Sequence, residues 1–334
     1  LIAAEHLDAE KVLNLLDYPS YFDLLGAPLP SNRDGIMEAL SEDSLINICP
    51  AGGWDITNYG AILLAKRLSD FPGLGRKALR IIQYRGTSKI ETLREKQSSK
   101  GYASGFEDSI TYINALLPSN EIIDQALRKT VPMYPELAIR ELVANALIHQ
   151  DFFISGAGPM VEIFENRIEI TNPGSPLVST ARFIDTPPRS RNETLASMMR
   201  RFGICEERGS GIDKVITQVE LYQLPAPLFE IPGDFTRAIL FAHKDLKDLS
   251  RPDRIRACYL HACLCHVTHR KMTNATLRER FGIAEKNAAV VSRLLKEAVD
   301  DGKIVISDSS SGRRRRAYLP FWINSNTEEL PQSI

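Results

Sequence analysis

The sequence predicts an α+β protein in three parts. Helices are layered on one sheet in the middle of the chain, a mixed α/β part precedes them, and a helical unit with a small β-wing follows. Three observations carry this. Helical patterns at 135–150, 192–202 and 210–221 alternate with a hairpin at 159–171 and a strand at 236–241. That order gives an α+β sandwich over an antiparallel or mixed sheet. The stretch 250–322 reads helix, helix, helix, then two short strands, the winged helix-turn-helix rhythm. The stretch 1–118 mixes short helices and strands without either pattern. The expected domains are therefore 1–118, 119–248 and 249–324.

In the first part, helices are expected at 9–16, 57–68 and 106–117, and strands at 43–48 and 78–84. Thr57 or Asn58 starts the second helix. Pro118, Ser119 and Asn120 mark a boundary. In the middle part, Pro135 suits the first turn of a helix whose packed side holds Leu142, Val143, Ala146 and Leu147. The hairpin strands 159–164 and 167–171 turn at Glu165 and Asn166. In the last part, helices are expected at 253–266, 275–281 and 287–299, with strands at 303–307 and 316–319.

A chain of 334 residues has room for two or three cores, and 43% apolar with 25% charged residues is ordinary for a globular protein. No apolar run approaches the ~20 residues that span a bilayer, and no signal peptide is visible. The first residue is Leu1 rather than Met, from which an upstream domain is expected. Net charge is −1, but 251–316 holds 15 Lys/Arg against 7 Asp/Glu, a local +8 on a body of −9. Such asymmetry points to a nucleic-acid-contacting module. Five cysteines without a disulfide-like framework point to a reducing cytoplasm. Cys258, His261, Cys263, Cys265, His266 and His269 lack CxxC pairs and fall along one helix, so they read as packing rather than a zinc site.

Glu141, Asn145 and His149 recur every four residues, which places them on one helix face. An Asn amide oxygen suits Mg²⁺, and a carboxylate one turn earlier suits proton abstraction from water. A solvated helix face gives the same pattern. Gly209, Ser210 and Gly211 open a later helix, where unpaired N–H groups favour anions. Asn172, Pro173 and Gly174 form a turn after a strand. Each glycine motif alone is also a plain turn. No GxxxxGK[ST] occurs, and Gly86, Thr87, Ser88 and Lys89 do not fit it, so a P-loop motor is excluded.

In this order the segments IRELVANALIHQDF (139–152), VEIFENRIEITNPG (161–174) and RNETLASMMRRFGICEERGSGIDKV (191–215) resemble the GHKL ATPase superfamily. The nearer resemblance is to a bacterial branch of RecG-like helicase-related, AlbA-domain (Schlafen-like) transcriptional regulators, over residues 45–322. It implies a GHKL (Bergerat-type) sandwich that binds ATP and Mg²⁺, and an AlbA-like domain upstream of this segment. It implies Glu141 as general base, Asn145 as Mg²⁺ ligand, Asn172 at the adenine amino group with Gly174 closing its turn, and Gly209, Ser210 and Gly211 as the phosphate-facing lid. Arg191 and Asn192, before the lid helix, fall where phosphate contacts occur. Asn172 departs from the usual Asp, which loosens adenine selectivity, and no phosphate-contacting lysine is assigned.

In the C-terminal part, Ala288, Val291, Leu295 and Ala298 mark the buried side of the third helix, leaving Lys286, Val290 and Arg293 for a major groove. Arg313, Arg314, Arg315 and Arg316 on a Ser/Gly-rich wing tip suit phosphates or a minor groove. Winged helices also bind proteins, and arginine runs are also solvated. The expected function is a cytoplasmic, homo-oligomeric, ATP-binding and DNA-binding regulator. The alternatives are an active ATPase driving a nucleic-acid or defence process, and a degenerate scaffold for protein interactions.

Overall fold

The structure is a computed structural model describing residues 1–124, 127–187, 189–205, 211–307 and 316–325. The first part begins with β1 (Ile2–Leu7), α1 (Ala9–Leu15), α2 (Tyr18–Leu25) and α3 (Arg33–Glu42). It continues through β2 (Ile46–Ile48), β3 (Trp54–Thr57), α4 (Asn58–Leu64), β4 (Arg80–Tyr84), β5 (Thr92–Gln97) and α5 (Phe106–Leu116). Then come β6 (Ser119–Asp124), β7 (Leu127–Pro132), α6 (Glu136–Ile148), β8 (Met160–Ile163) and β9 (Arg167–Pro173). They are followed by α7 (Glu193–Arg201), α8 (Gly211–Leu221), β10 (Leu228–Glu230) and β11 (Phe235–Phe241). The last part holds α9 (Arg251–Val267), α10 (Asn274–Arg280), α11 (Ala288–Asp300), β12 (Ile304–Ile306), β13 (Tyr318–Pro320) and α12 (Trp322–Ser325).

Local chemistry sets many of the helix starts. Asp8 accepts the amide of Lys11 at the head of α1, and Asn32 that of Gly35 in α3. Ser250 caps α9, and Thr273 with Thr276 forms a reciprocal capping box on α10. Each such cap satisfies N–H groups that have no partner within the helix.

The dominant sheet is mixed and has six strands in the order β10-β11-β9-β8-β4-β5. Every neighbour pair is antiparallel except β4 with β8, which run parallel with Arg80 opposite Met160. Strands from either side of residue 118 thus share one sheet, and one continuous apolar core runs from Val12 to Leu240. The chain is a mixed α and β structure around this sheet. Smaller sheets join β1-β3-β2, β6-β7 and β12-β13.

Several elements differ from the sequence expectation. Of the strand expected at 43–48, only Ile46–Ile48 is strand, β2, and residues 43–45 form the turn that follows α3. The helix expected at 57–68 stops at Leu64, where Ala65 bridges to Leu16. The boundary expected at 118–120 is the entry to the β6–β7 hairpin. The expected wing strands 303–307 and 316–319 are Ile304–Ile306 and Tyr318–Pro320.

The last part has two apolar clusters that share α9. Ile255, Cys258, Ala262 and Cys265 face α10 and α11, while Tyr259, Leu260, Cys263 and Leu264 face Ile216 of α8 and Trp322. Cys258, Cys263 and Cys265 are buried packing residues. No helix among the described residues is long and apolar enough to cross a membrane.

At Thr57 the hydroxyl donates to the Leu45 carbonyl and accepts from Gly60, so α4 starts against the backbone just before β2. A Cβ on Gly60 would lie 2.1 Å from the Leu45 oxygen. Gly60→Ala is therefore expected to lower stability by about 1–3 kcal/mol, the usual cost of overpacking. A urea unfolding midpoint equal to wild type would contradict this.

Candidate nucleotide site

Pro135 precedes α6 with φ −67°, the value its ring imposes. From there α6 is enclosed on nearly every side, with Ile139, Leu142, Val143, Ala146 and Leu147 all buried. A helix so surrounded has little room for polar groups, yet Glu141 is only 7% exposed. Glu141, Asn145 and His149 follow one another along a single face, and all three line a cavity of about 710 Å³. That volume lies within the ordinary range for small-ligand sites.

The floor of the cavity is the sheet. Asn172 on β9 pairs in register with Thr236 on β11, and both line the cavity with Ile170 and Ala238. Asn172 is 5% exposed and donates through Nδ2 to the Pro173 carbonyl at 3.1 Å. Thr236 Oγ1 donates to the Gly174 carbonyl at 2.7 Å. An aromatic wall comes from Phe183 and Phe229, edge to face at 5.2 Å. Thr194, Ser197 and Arg200 from α7 also line the cavity.

The start of α8 closes the cavity beside α6. Gly211 approaches so near that a Cβ there would meet Glu141 Oε2 at 2.8 Å and Asn145 Nδ2 at 3.7 Å. Only a residue without a side chain leaves that carboxylate in place. Burial raises the Glu141 pKa, an effect opposed by Lys214 and Arg140. Burial and then Arg191 lower the His149 pKa, so this imidazole is neutral near pH 7.

Glu141, Asn145, Asn172, Arg191 and Gly211 thus meet in one cavity, and two other expected residues do not line it. Gly174 lies behind the floor with φ +102°, where a Cβ would press on Asp151 at 2.9 Å and Arg191 at 3.0 Å. Its amide donates to the Asp234 carbonyl. Asn192 donates to the carbonyls of Ile148 and Gln150 at 2.7 and 2.8 Å, capping the end of α6. Arg191 donates to Asp151 Oδ2 and the Ser175 carbonyl, each at 2.6 Å, and so ties the chain after α6 to the end of β9. Gly209 and Ser210 lie outside the described residues, as do Arg313, Arg314 and Arg315.

Arg189, Arg200, Thr236, Phe183 and Phe229 also line the cavity and were not singled out in the sequence. Thr236 sits across a strand pair whose register no local pattern reveals. The arginines follow the 161–174 hairpin and belong to a basic run around α7, which is their only sequence signal.

Away from the cleft, Lys286 and Arg293 are exposed, while Arg316 is half-buried next to Tyr318. The link between the cleft and this part is α8. Near its far end Glu220 accepts from His261 at 2.9 Å and pairs with Arg280 at 3.4 Å. Arg280 also donates to the Leu224 carbonyl at 2.6 Å. Burial alone would lower the His261 pKa, but its contacts with Cys265 and Glu220 prevail and raise it to about 9.

Residues 156–240 match the family described as "Putative ATP-dependent DNA helicase recG C-terminal". The match covers β8, β9, α7, α8, β10 and most of β11, and it supports an ATPase-type domain related to that of RecG. It begins after Glu141 and Asn145. The fold is similar to the crystal structure of the DIP2311 protein from Corynebacterium diphtheriae, with a TM-score of 0.59 and 17% identity. That similarity covers 96% of this chain and 63% of the other, so this chain spans less than two-thirds of that length. A comparison with curated proteins finds no match.

In the first turn of α8, Asp213 has a buried oxygen without a hydrogen-bond partner. Burial, then Asp185, raises its pKa from 3.8 to about 6. The folded state therefore binds this proton more tightly than the unfolded chain, and stability falls as pH rises from 3.8 to about 6. Asp213→Asn is expected to stabilise the protein above pH 6, with the gain vanishing below pH 4. Denaturation midpoints measured across that range check it, and a gain independent of pH would contradict it.

Proposed function

We propose that the chain is an ATP-binding regulator with a GHKL-type nucleotide site and a C-terminal winged helix that contacts DNA. The observation that carries this is the convergence of Glu141, Asn145, Asn172 and Gly211 on one cavity of about 710 Å³. The match of residues 156–240 to an ATP-dependent helicase family supports nucleotide as the ligand. Motor activity is not part of the proposal, because the sequence has no P-loop.

The residues present fit the Mg²⁺–ATP pair. Asn145 offers a hard amide oxygen, and Gly211 leaves the space beside Glu141 that a Cβ would fill. The bound metal would neutralise phosphate charge. The start of α8 supplies backbone N–H groups toward that charge, and Arg189 and Arg200 add cationic groups to the lining. Asn172, with Thr236 beside it, faces the base edge, and Phe183 with Phe229 supplies apolar surface for its ring. Asn172 both accepts and donates, so discrimination for adenine is weaker than with a carboxylate.

Glu141 is the residue that can take a proton from water, and burial favours its acceptance of that proton. Nucleotide binding reaches the C-terminal part through α8, which runs from Gly211 at Glu141 to Glu220 at His261 and Arg280. In α9–α11 with β12 and β13, Lys286 and Arg293 contact the groove and Arg313–Arg316 the phosphates. Self-association and a cytoplasmic location complete the proposal.

Three outcomes test this reading. Asn145→Ala is expected to weaken Mg²⁺-dependent binding of a fluorescent ATP analogue by more than about tenfold, the least that losing an outer-shell partner costs a metal site. Binding at wild-type strength would reject the site. Glu141→Gln is expected to keep that binding and abolish phosphate release, and persistent turnover would reject its role as base. Lys286→Ala with Arg293→Ala is expected to weaken duplex DNA binding and flatten its log–log salt dependence by roughly one unit per lost phosphate contact. An unchanged affinity and slope would remove DNA from the proposal.

A further inference from the structure

Far from the nucleotide cavity, β1 pairs irregularly with β3. Ala4 lies opposite Ile56 and Leu7 opposite Trp54, so β1 carries an extra residue between these points. This is a bulge, the device by which a strand re-aims a side chain. His6 sits in it with φ +56°, a left-handed conformation uncommon for a residue with a side chain. Its amide donates to Asp55 Oδ1 at 2.9 Å instead of continuing the ladder.

The turn from β2 to β3 folds back under the same bulge. Cys49 and Gly53 close it through an amide–carbonyl bond of 3.0 Å, and Gly52 and Gly53 take φ +99° and +84°. Gly53 lies so close that a Cβ would meet the Leu7 carbonyl at 2.7 Å. The outcome is a cluster of three different donors. His6 Nδ1 is 3.1 Å from Cys49 Sγ, and the imidazole nitrogen, the sulfur and an Asp55 oxygen lie within 4.8 Å of one another. It is the one such group of three found among the described residues.

We propose that His6, Cys49 and Asp55 bind a zinc-class divalent cation. One imidazole, one thiolate and one carboxylate form a donor set suited to Zn²⁺, and two donors on a tetrahedral zinc stand roughly 3.5 Å apart. The histidine–sulfur pair is within a few tenths of that spacing, and the carboxylate oxygen already lies within 4.8 Å of both. Its hydrogen bond to the His6 amide already orients it, as outer contacts orient metal ligands. Cys49 is buried while His6 is exposed, so the cation has a route in and water takes the fourth position. Binding releases the thiol proton to solvent, so affinity rises with pH. The cation would clamp the β1 bulge to the β2–β3 turn and so stabilise the three-stranded sheet. This proposal is independent of the nucleotide reading.

The test uses the untagged full chain, stripped with a chelator, and titrates Zn²⁺ against a chromophoric competitor. One equivalent is expected to bind, and His6→Ala, an exposed position whose variant is checked for folding by circular dichroism, is expected to weaken it more than about tenfold. With Co²⁺ as probe, a thiolate charge-transfer band is expected, to be lost in Cys49→Ser and kept in Cys265→Ser. The Cys265 control matters because its sulfur lies 3.6 Å from His261 Nε2. No stoichiometric binding, equal affinity in His6→Ala, or a band that survives Cys49→Ser would each overturn the site and leave a histidine–thiol hydrogen bond.

Discussion

The burial of Glu141 on a helix whose other buried residues are all apolar is the constraint on which the rest of the cleft depends. An ionised carboxylate taken from water is costly, and here burial shifts its pKa upward while Lys214 and Arg140 offset part of the cost. At the point of contact α8 begins with a glycine. A methyl group at 211 would crowd the carboxylate oxygen and displace it. Asn145 and His149 then follow from helix geometry, and Asn192 holds the end of the same helix through two carbonyls. The cleft is thus built around α6, with the sheet as floor and the start of α8 beside it.

What α8 touches at its other end gives the cleft a mechanical neighbour. Glu220, His261 and Arg280 join three helices in a low-solvent setting, where charged hydrogen bonds hold geometry and cost much to break singly. Beyond them, α9 carries apolar residues into two clusters, one facing α8 and one facing α10 and α11. A helix packed on both sides transmits displacement instead of absorbing it. Through these contacts the cleft and the C-terminal helices share a continuous packed path.

Much of this was legible in the sequence where the signal is local. The four-residue spacing of Glu141, Asn145 and His149 put them on one face of α6, and the hairpin at 160–173 follows from alternating residues around Glu165 and Asn166. The parts that were not legible depend on distant pairing. β4 joins β8 in parallel across about eighty residues of chain, and nothing within either strand announces it. β5, TLREKQ, is an edge strand exposed at every position, so it lacks the alternation by which strands are recognised. Asn192 reads as a lid-proximal polar residue until its partners, more than forty positions earlier, are seen. Thr236 enters the site only because β11 lies beside β9 in that register.

The most direct measurement is calorimetric titration of the full chain with a non-hydrolysable ATP analogue, with and without Mg²⁺, at several temperatures. The account predicts one nucleotide per chain, binding that depends on Mg²⁺, and a negative heat-capacity change as the base enters the apolar end of the cavity. Absence of binding at millimolar nucleotide with Mg²⁺, or binding indifferent to the metal, would contradict it.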